Sequence, residues 1–314
     1  MPPPRATECW YLTGPTASGK TGVGVELAAR IGAEIVSLDS MALYRGLDVG
    51  TAKPTARERQ QVPHHLVDFL EPHEEFSLWE YLEAAQAAID AIRSRRREVL
   101  FVGGTPLYLK GLLRGIFRGP PADWELRRRL EEEARAHPEG YLHRRLAEVD
   151  RQAAARLHPN DARRLIRGLE VFHKTGRPIS TLQREFDAGL AAEACRVFVL
   201  DWPREALCAR IDRRVERMFA AGLVEEVRGL LARPQPLSRT ASQALGYREV
   251  IDHLAGGPGL AETVDLVKRH TRQFAKRQMT WFRSLSECHF IGIMEPLEPV
   301  EVAGKIVQTG GSRV

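Results

Sequence analysis

Gly14-Pro15-Thr16-Ala17-Ser18-Gly19-Lys20-Thr21 matches G-x-x-x-x-G-K-[ST] at every fixed position, and its surroundings match too. Cys9-Trp10-Tyr11-Leu12 before it reads as a short buried strand. Thr21 to Arg30 after it reads as a helix, with Val23, Leu27 and Ile31 at helical spacing. Such a loop turns backbone N–H groups toward a phosphate chain, and the helix N-terminus adds partial positive charge. Lys20 is placed to reach the terminal phosphates, and the Thr21 hydroxyl to ligate Mg²⁺. Read alone, this is a nucleotide-binding loop of the ATP-site kind. It calls for a di- or triphosphate and leaves its owner open.

The 314 residues suffice for more than one domain, and 43% hydrophobic with 28% charged residues fits a globular chain. No apolar run approaches a membrane span. Met1-Pro2-Pro3-Pro4-Arg5 lacks the apolar segment of a signal peptide, so a cytoplasmic protein with no membrane partner is expected. Cys9, Cys195, Cys208 and Cys288 are far apart, which argues against a zinc site or a disulfide framework and for buried apolar fillers. No dimerisation stripe is evident, so a monomer is the default. The net charge of +5 is mild, but its distribution is uneven.

Glu34 to Leu38 reads as a second strand ending at Asp39-Ser40. In open α/β sheets catalytic groups gather beyond the carboxyl ends of strands, so Asp39 lies near the phosphate loop if the two strands are neighbours. The spacing leaves two jobs open for Asp39, a reactive carboxylate or a helix N-cap. Met41 to Pro54, including Gly50-Thr51-Ala52-Lys53-Pro54, reads as a long functional loop. His64 to Phe69 suggests a short strand whose adjacent histidines point to opposite faces, which disfavours a metal pair. Ser77 and Glu80 have capping-box spacing for a helix to about Arg97. Val99-Leu100-Phe101-Val102 is a buried strand ending in Gly103-Gly104-Thr105. A P-loop NTPase would carry a metal-binding Asp there, so plain ATP hydrolysis is disfavoured.

From Pro120-Pro121 to Leu190 helical patterns replace strands, with Asp123 and Asn160-Asp161 as caps. Arg163, Arg164 and Arg167 form a one-turn basic stripe there. Arg196 to Asp201 returns to strand, and the helix after it carries Arg210, Arg213, Arg214 and Arg217, with Glu205, Asp212 and Glu216 as candidate ion-pair partners on the same helix. Ser242 to Arg248 reads as a recognition turn. Val267 to Leu285 holds Lys268, Arg269, Arg272, Lys276, Arg277 and Arg283 without one acid, interleaved with Gln273, Gln278, Thr280, Trp281 and Phe282. A single-sign helix with amides and aromatics suits phosphate contact and base stacking. His289 to Ile291 is a last strand before a polar, mobile tail. The expected fold is α/β, a P-loop NTPase-like parallel sheet flanked by helices with an all-helical insertion domain. Residues 1–117 and 191–314 form the core, and residues 118–190 the insertion.

The glycine loop, Asp39-Ser40, Gly50 to Pro54, Gly103-Gly104-Thr105, His158-Pro159-Asn160-Asp161, Gly246-Tyr247-Arg248 and Lys276-Arg277-Gln278-Met279-Thr280-Trp281 occur in that order. With these motifs the chain resembles the bacterial tRNA dimethylallyltransferase family over nearly its whole length. The resemblance implies transfer of the dimethylallyl group of dimethylallyl diphosphate to N6 of adenosine 37, beside the tRNA anticodon, with release of pyrophosphate. It implies that Gly14, Pro15, Thr16, Ala17, Ser18, Gly19, Lys20 and Thr21 hold the diphosphate with Mg²⁺ on Thr21. Asp39 would be the general base, with Thr105 and Arg214 as further contacts at the reaction channel. Asp39, Ser40, Met41, Ala42, Thr105, Arg127, Arg163, Arg164, Arg167, Gln243, Gly246, Tyr247, Arg248, Lys276, Arg277, Gln278, Thr280, Trp281 and Arg283 would meet the anticodon stem-loop. Pro106 departs from the family, where a longer apolar residue often follows Gly103-Gly104-Thr105.

The implied chemistry agrees with these residue types. Pyrophosphate leaves well if its oxygens are neutralised, and an adenine N6 amine must lose a proton as it attacks. A P-loop small-molecule kinase would share the loop and a helical lid but leaves the acid-free basic segment unexplained. A non-catalytic nucleic-acid-binding switch leaves Asp39 without a job.

Overall fold

A computed structural model describes residues 5–183 and 189–311. In chain order it contains β1 (Trp10–Thr13), α1 (Lys20–Ile31), β2 (Ala33–Ser37), α2 (Ala56–Gln61), β3 (His64–His65), α3 (Leu78–Ser94), β4 (Glu98–Val102) and α4 (Pro106–Arg114). Then follow α5 (Trp124–Ala136), α6 (Tyr141–Val149), α7 (Arg151–Arg156), α8 (Ala162–Thr175) and α9 (Ile179–Leu182). The chain returns to β5 (Arg196–Asp201), α10 (Arg204–Ala220), α11 (Leu223–Leu231), α12 (Arg239–Ser242), α13 (Tyr247–Leu254), α14 (Leu260–Arg283), β6 (Cys288–Gly292) and α15 (Pro299–Gly311). The chain divides into two compact units, one within 114–188 and the other within 3–113 and 189–314. Among the described residues no helix is long and apolar enough to cross a membrane.

The larger unit is built on a six-stranded sheet of order β3-β2-β4-β1-β5-β6. Every pairing is parallel. Central strands β1 and β5 are buried almost throughout, as a sheet covered on both faces demands. Leu12, Leu100, Phe198 and Leu200 from the sheet share one core with Val23 and Leu27 of α1, Ile211 and Val215 of α10, and Ala275 of α14. In the helical unit, Leu130, Leu146, Leu165, Ile166 and Leu169 form a separate core. The capping box predicted at Ser77 is present, and Asp123 and Asp161 cap α5 and α8. Cys9, Cys195 and Cys288 are buried thiols. The paired histidines are structural: His64 Nδ1 meets the Val62 carbonyl at 2.7 Å, and His65 Nε2 meets Glu34 at 2.7 Å.

The sequence reading errs at one end of this unit. The expected mobile tail is instead the helix α15, which packs on α1. Val302, Ala303 and Ile306 are buried in the main core, and Gly310 lies against the Trp10 ring. Its three glycines and four polar residues hide an apolar stripe that only α1 makes visible. Ile306→Ala should therefore destabilise this unit by about 2–5 kcal/mol. Val300→Ala, at a side chain 55% exposed, should leave stability within about 0.5 kcal/mol. Denaturant unfolding that ranks the two variants equally would show that α15 is not docked.

Candidate active site at the strand ends

The phosphate loop leaves the C-terminal end of β1, between β4 and β5. Its carbonyls are gripped from behind: the Trp202 indole N–H donates to the Ser18 carbonyl at 3.0 Å, and Arg210 Nε to the Ala17 carbonyl at 3.0 Å. Arg210 also lies over the Trp202 ring, 4.3 Å from its centre. Of the loop amides, the Thr16 N–H is already taken by the Gln278 side chain and the Ser18 N–H by the Pro15 carbonyl. Ala17 takes a left-handed φ of 64°, a strained choice for a residue with a Cβ and one typical of a ligand-binding loop. Helix α1 begins on Gly19 with no side-chain cap, so its first amides remain for an anion.

Lys20 curls back over the loop and donates to the carbonyls of Gly14 at 3.0 Å and Pro15 at 2.7 Å. Its ammonium is pulled down to about 7, first by desolvation and then by the neighbouring Arg214 charge, against which Asp39 acts. Desolvation likewise lowers Arg214, and Asp39 opposes it there too. Arg214 Nη2 donates to the Thr51 carbonyl at 3.0 Å. An anion in contact with Lys20 and Arg214 would favour the charged form of both. The Thr21 hydroxyl makes no hydrogen bond among the described residues.

Asp39 reaches this place by a route its sequence spacing does not give. Strands β1 and β2 are not neighbours, because β4 lies between them. What opens the way is the end of β4, where Gly103 carries no side chain. A Cβ on Gly103 would lie 2.2 Å from the Leu38 carbonyl carbon. The two backbones close up, joined by the Leu38 N–H to the Val102 carbonyl at 2.9 Å and the Thr105 N–H to the Leu38 carbonyl at 3.0 Å. The Thr105 hydroxyl accepts the Ser40 N–H at 3.0 Å and fixes the turn after Asp39. Asp39 caps no helix, since residues 40–43 form a turn. Its Oδ1 accepts the Met41 N–H at 2.9 Å, while Oδ2 takes no hydrogen bond among the described residues.

The structure separates the nineteen residues implied as tRNA contacts. Ser40, Met41 and Thr105 are half-buried beside Asp39, Ala42 is buried, and Gln243, Lys276, Arg277, Thr280 and Arg283 are exposed. Arg248 and Trp281 are half-buried. Gly246 is buried at the start of α13, and its N–H is taken up by Glu249 at 2.8 Å. Tyr247 is buried, and its hydroxyl donates to Glu226 at 2.5 Å and accepts the Gly50 N–H at 3.2 Å, bracing the Gly50 loop. Gln278 is buried too and faces inward on the phosphate loop. In the helical unit Arg163 and Arg164 are exposed. There Arg127 makes a bidentate pair with the fully buried Glu170 at 2.8 Å, and Arg167 joins the same carboxylate and the Pro120 carbonyl. Those two guanidiniums hold the unit together.

The acid-free stretch of α14, from Val267 on, also finds acids from another part of the chain. On α10, Asp212 takes Arg272 and Glu216 takes Lys268 at 2.6 Å, rather than the arginines of their own helix. Arg269, Lys276 and Arg277 keep no acidic partner among the described residues. Sequence reasoning missed Trp202, Arg210 and Glu226 as supports of the site. Their only signal lies in three-dimensional proximity.

Sheet order, glycine loop and strand-end geometry define a protein of the phosphate-loop α/β class. The family model described as IPP transferase matches residues 42–285. Two curated tRNA dimethylallyltransferases are similar over most of the chain. That of Rhodopirellula baltica is 48% identical over 292 residues, covering 90% of this chain and 87% of the relative. That of Geobacter metallireducens is 50% identical over 283 residues, covering 90% and 91%. The crystal structure of a tRNA isopentenylpyrophosphate transferase from Bacillus halodurans superposes with a TM-score of 0.67 at 36% identity, covering 96% of this chain and 98% of that one. The chain belongs to the IPP transferase family.

A proton-linkage measurement tests the electrostatics. Lys20, lowered to about 7, is mostly neutral at about pH 8.5, and a bound diphosphate raises it back toward its ordinary value. Binding of a simple diphosphate ester at that pH should take up roughly one proton, fading toward pH 6 where Lys20 is already charged. Calorimetry in buffers of different ionisation enthalpy reads this directly. Uptake absent at pH 8.5, or retained in Lys20→Met, would contradict the assignment.

Proposed function

We propose that this chain is a tRNA dimethylallyltransferase that moves the dimethylallyl group of dimethylallyl diphosphate to N6 of adenosine 37 in the tRNA anticodon loop. One observation carries the reading. The Asp39 carboxylate lies across a strand end without side chains from Lys20 and Arg214, which flank a phosphate loop. That arrangement suits a reaction in which a diphosphate leaves while a weakly acidic N–H is deprotonated.

In this reading the bond from the allylic carbon to the diphosphate oxygen breaks, its electrons leaving with pyrophosphate, as the carbon–N6 bond forms. The loop amides, Lys20 and Arg214 stabilise the growing charge on the leaving group. The N6 proton passes to Asp39 Oδ2, the oxygen not used by the Met41 N–H. Thr105 holds the Asp39-Ser40 turn in register with the loop. The Thr21 hydroxyl, a hard oxygen at a helix N-terminus, is the residue that would hold Mg²⁺. The ion would supply further charge neutralisation. No group of three or more His, Cys, Asp or Glu side chains among the described residues offers a protein-only metal cage, which agrees with a substrate-bound ion.

The target edge of a stacked adenine is hidden, so the base must turn out into the site. Arg269, Lys276, Arg277, Gln243 and Arg248 supply the larger unit's contacts to tRNA, and Arg163 and Arg164 those of the helical unit. We take the protein to work as a monomer in the cytoplasm, where its RNA substrate is found.

Labelled dimethylallyl diphosphate, labelled ATP and unmodified tRNA, incubated together with Mg²⁺, test the assignment. Label from the prenyl donor should enter tRNA, and Asp39→Ala should slow that transfer roughly 10²–10⁴-fold while leaving tRNA binding largely intact. Transfer of γ-phosphate to a small molecule would point to a kinase instead. Affinity for tRNA should also fall steeply as salt is added, and a flat response would remove the phosphate contacts from the reading.

A further inference from the structure

Gln278 lies on the inward stripe of α14 with Thr271, Ala275 and Phe282 and is only 4% exposed. Lys276, Arg277 and Thr280 on either side of it are exposed. Its amide spans two segments that the rest of the site depends on. The carbonyl oxygen Oε1 accepts the Thr16 N–H of the phosphate loop at 2.9 Å, and Nε2 donates to the Gly104 carbonyl beyond β4 at 2.6 Å. The fit is tight. A Cβ on Gly104 would stand 2.7 Å from Nε2 and 3.6 Å from the Lys20 ammonium.

The structure assigns Gln278 a positioning role: its amide bolts α14 to both walls of the phosphate cradle and so sets the aperture that receives the diphosphate. The inference rests on the proposed use of that cradle for the prenyl donor. The chemistry of the residue is specific. One wall presents a donor and the other an acceptor, and an amide of this length satisfies both at once. Asparagine is a methylene too short, a carboxylate has no proton for Gly104, and methionine fills the volume with neither bond. Without the amide, the Thr16 N–H and the Gly104 carbonyl would each need another partner in a crowded place, and the loop would relax before any phosphate arrived. Gln278 does not touch the reacting atoms. It acts through the loop, and it does so from the helix whose outer face carries Lys276 and Arg277.

The test separates the cradle from the RNA surface. Mg²⁺-pyrophosphate affinity by calorimetry, affinity for an unmodified anticodon stem-loop RNA, and steady-state transfer are measured for wild type, Gln278→Met and Gln278→Glu. Both variants should bind pyrophosphate roughly 10–100-fold more weakly and raise KM for the prenyl donor in step, with RNA affinity changed less than about threefold. The deficit of Gln278→Glu relative to wild type should shrink as pH falls from about 8.5 to 6, because the protonated carboxyl regains a donor for Gly104. Gln278→Met, with nothing to titrate, should show no such recovery. Should either variant fold poorly, Gly104→Ala displaces the amide by a methyl group and should give the same split. Pyrophosphate binding within twofold of wild type, or equal losses for pyrophosphate and RNA, would overturn the role. A wild-type protein that neither binds pyrophosphate nor modifies RNA would instead overturn the donor-site reading beneath it.

Discussion

The contact on which the site depends is the closure of two backbones at Gly103. Strand β4 separates the strand that carries the phosphate loop from the strand that carries Asp39. A side chain at the exit of β4 would run into the Leu38 backbone just before Asp39. Gly103 removes it, letting the Leu38 carbonyl carbon sit 2.2 Å from where a Cβ would be. Related glycine-loop hydrolases put an acidic side chain at this exit to hold a metal. Here the space is spent on proximity between strands that do not pair, and the acidic group comes from one strand further away.

The closed gap sets the electrostatic character of the site. Lys20 and Arg214 are both desolvated, the Arg214 charge lowers Lys20, the Arg217 charge lowers Arg214, and the Asp39 carboxylate stands against both shifts. Lys20 bonds the loop's own carbonyls of Gly14 and Pro15. Such an arrangement is held in place by the supports behind it: Trp202 and Arg210 on the loop carbonyls, and Glu226, which accepts the Val49 N–H at 2.8 Å and braces the Gly50 segment below Arg214. The supports cost their side chains' freedom at folding, so none has to be recovered when a ligand binds.

The parts of this structure legible in the sequence are those fixed over short distances. The glycine loop with its strand and helix, the Ser77 capping box, the Asp123 and Asp161 caps and strand β5 follow from neighbours within a few residues. Parts fixed by distant partners were not legible. Asp212 and Glu216 looked like partners for arginines one turn away, whereas their partners are Arg272 and Lys268 on α14. Tyr247 and Gln278 belong to segments that resemble RNA-contacting motifs, and a motif does not say which of its side chains points inward. The α15 stripe, interrupted by Gly304, Gly310 and Gly311, looked like a tail because a glycine can pack closely as well as loosen a chain. Gly310 does the former, against Trp10.

Helix α10 shows how one element can serve two masters. Arg210 and Arg214 are four residues apart and share a face, as do Asp212 and Glu216. A shift of two residues turns about 200° around a helix, so the arginine pair and the acid pair point to opposite sides. The arginine side grips the phosphate loop and the Thr51 carbonyl, and the acid side grips α14. Helix α14 in turn sends Gln278 back to the loop and keeps Lys276 and Arg277 outside. Loop, α10 and α14 thus form a closed triangle of polar contacts around the cradle. A displacement of the basic helix has to break either its ion pairs with α10 or its amide contacts with the loop, so the cradle and the outward basic face are held as one rigid body.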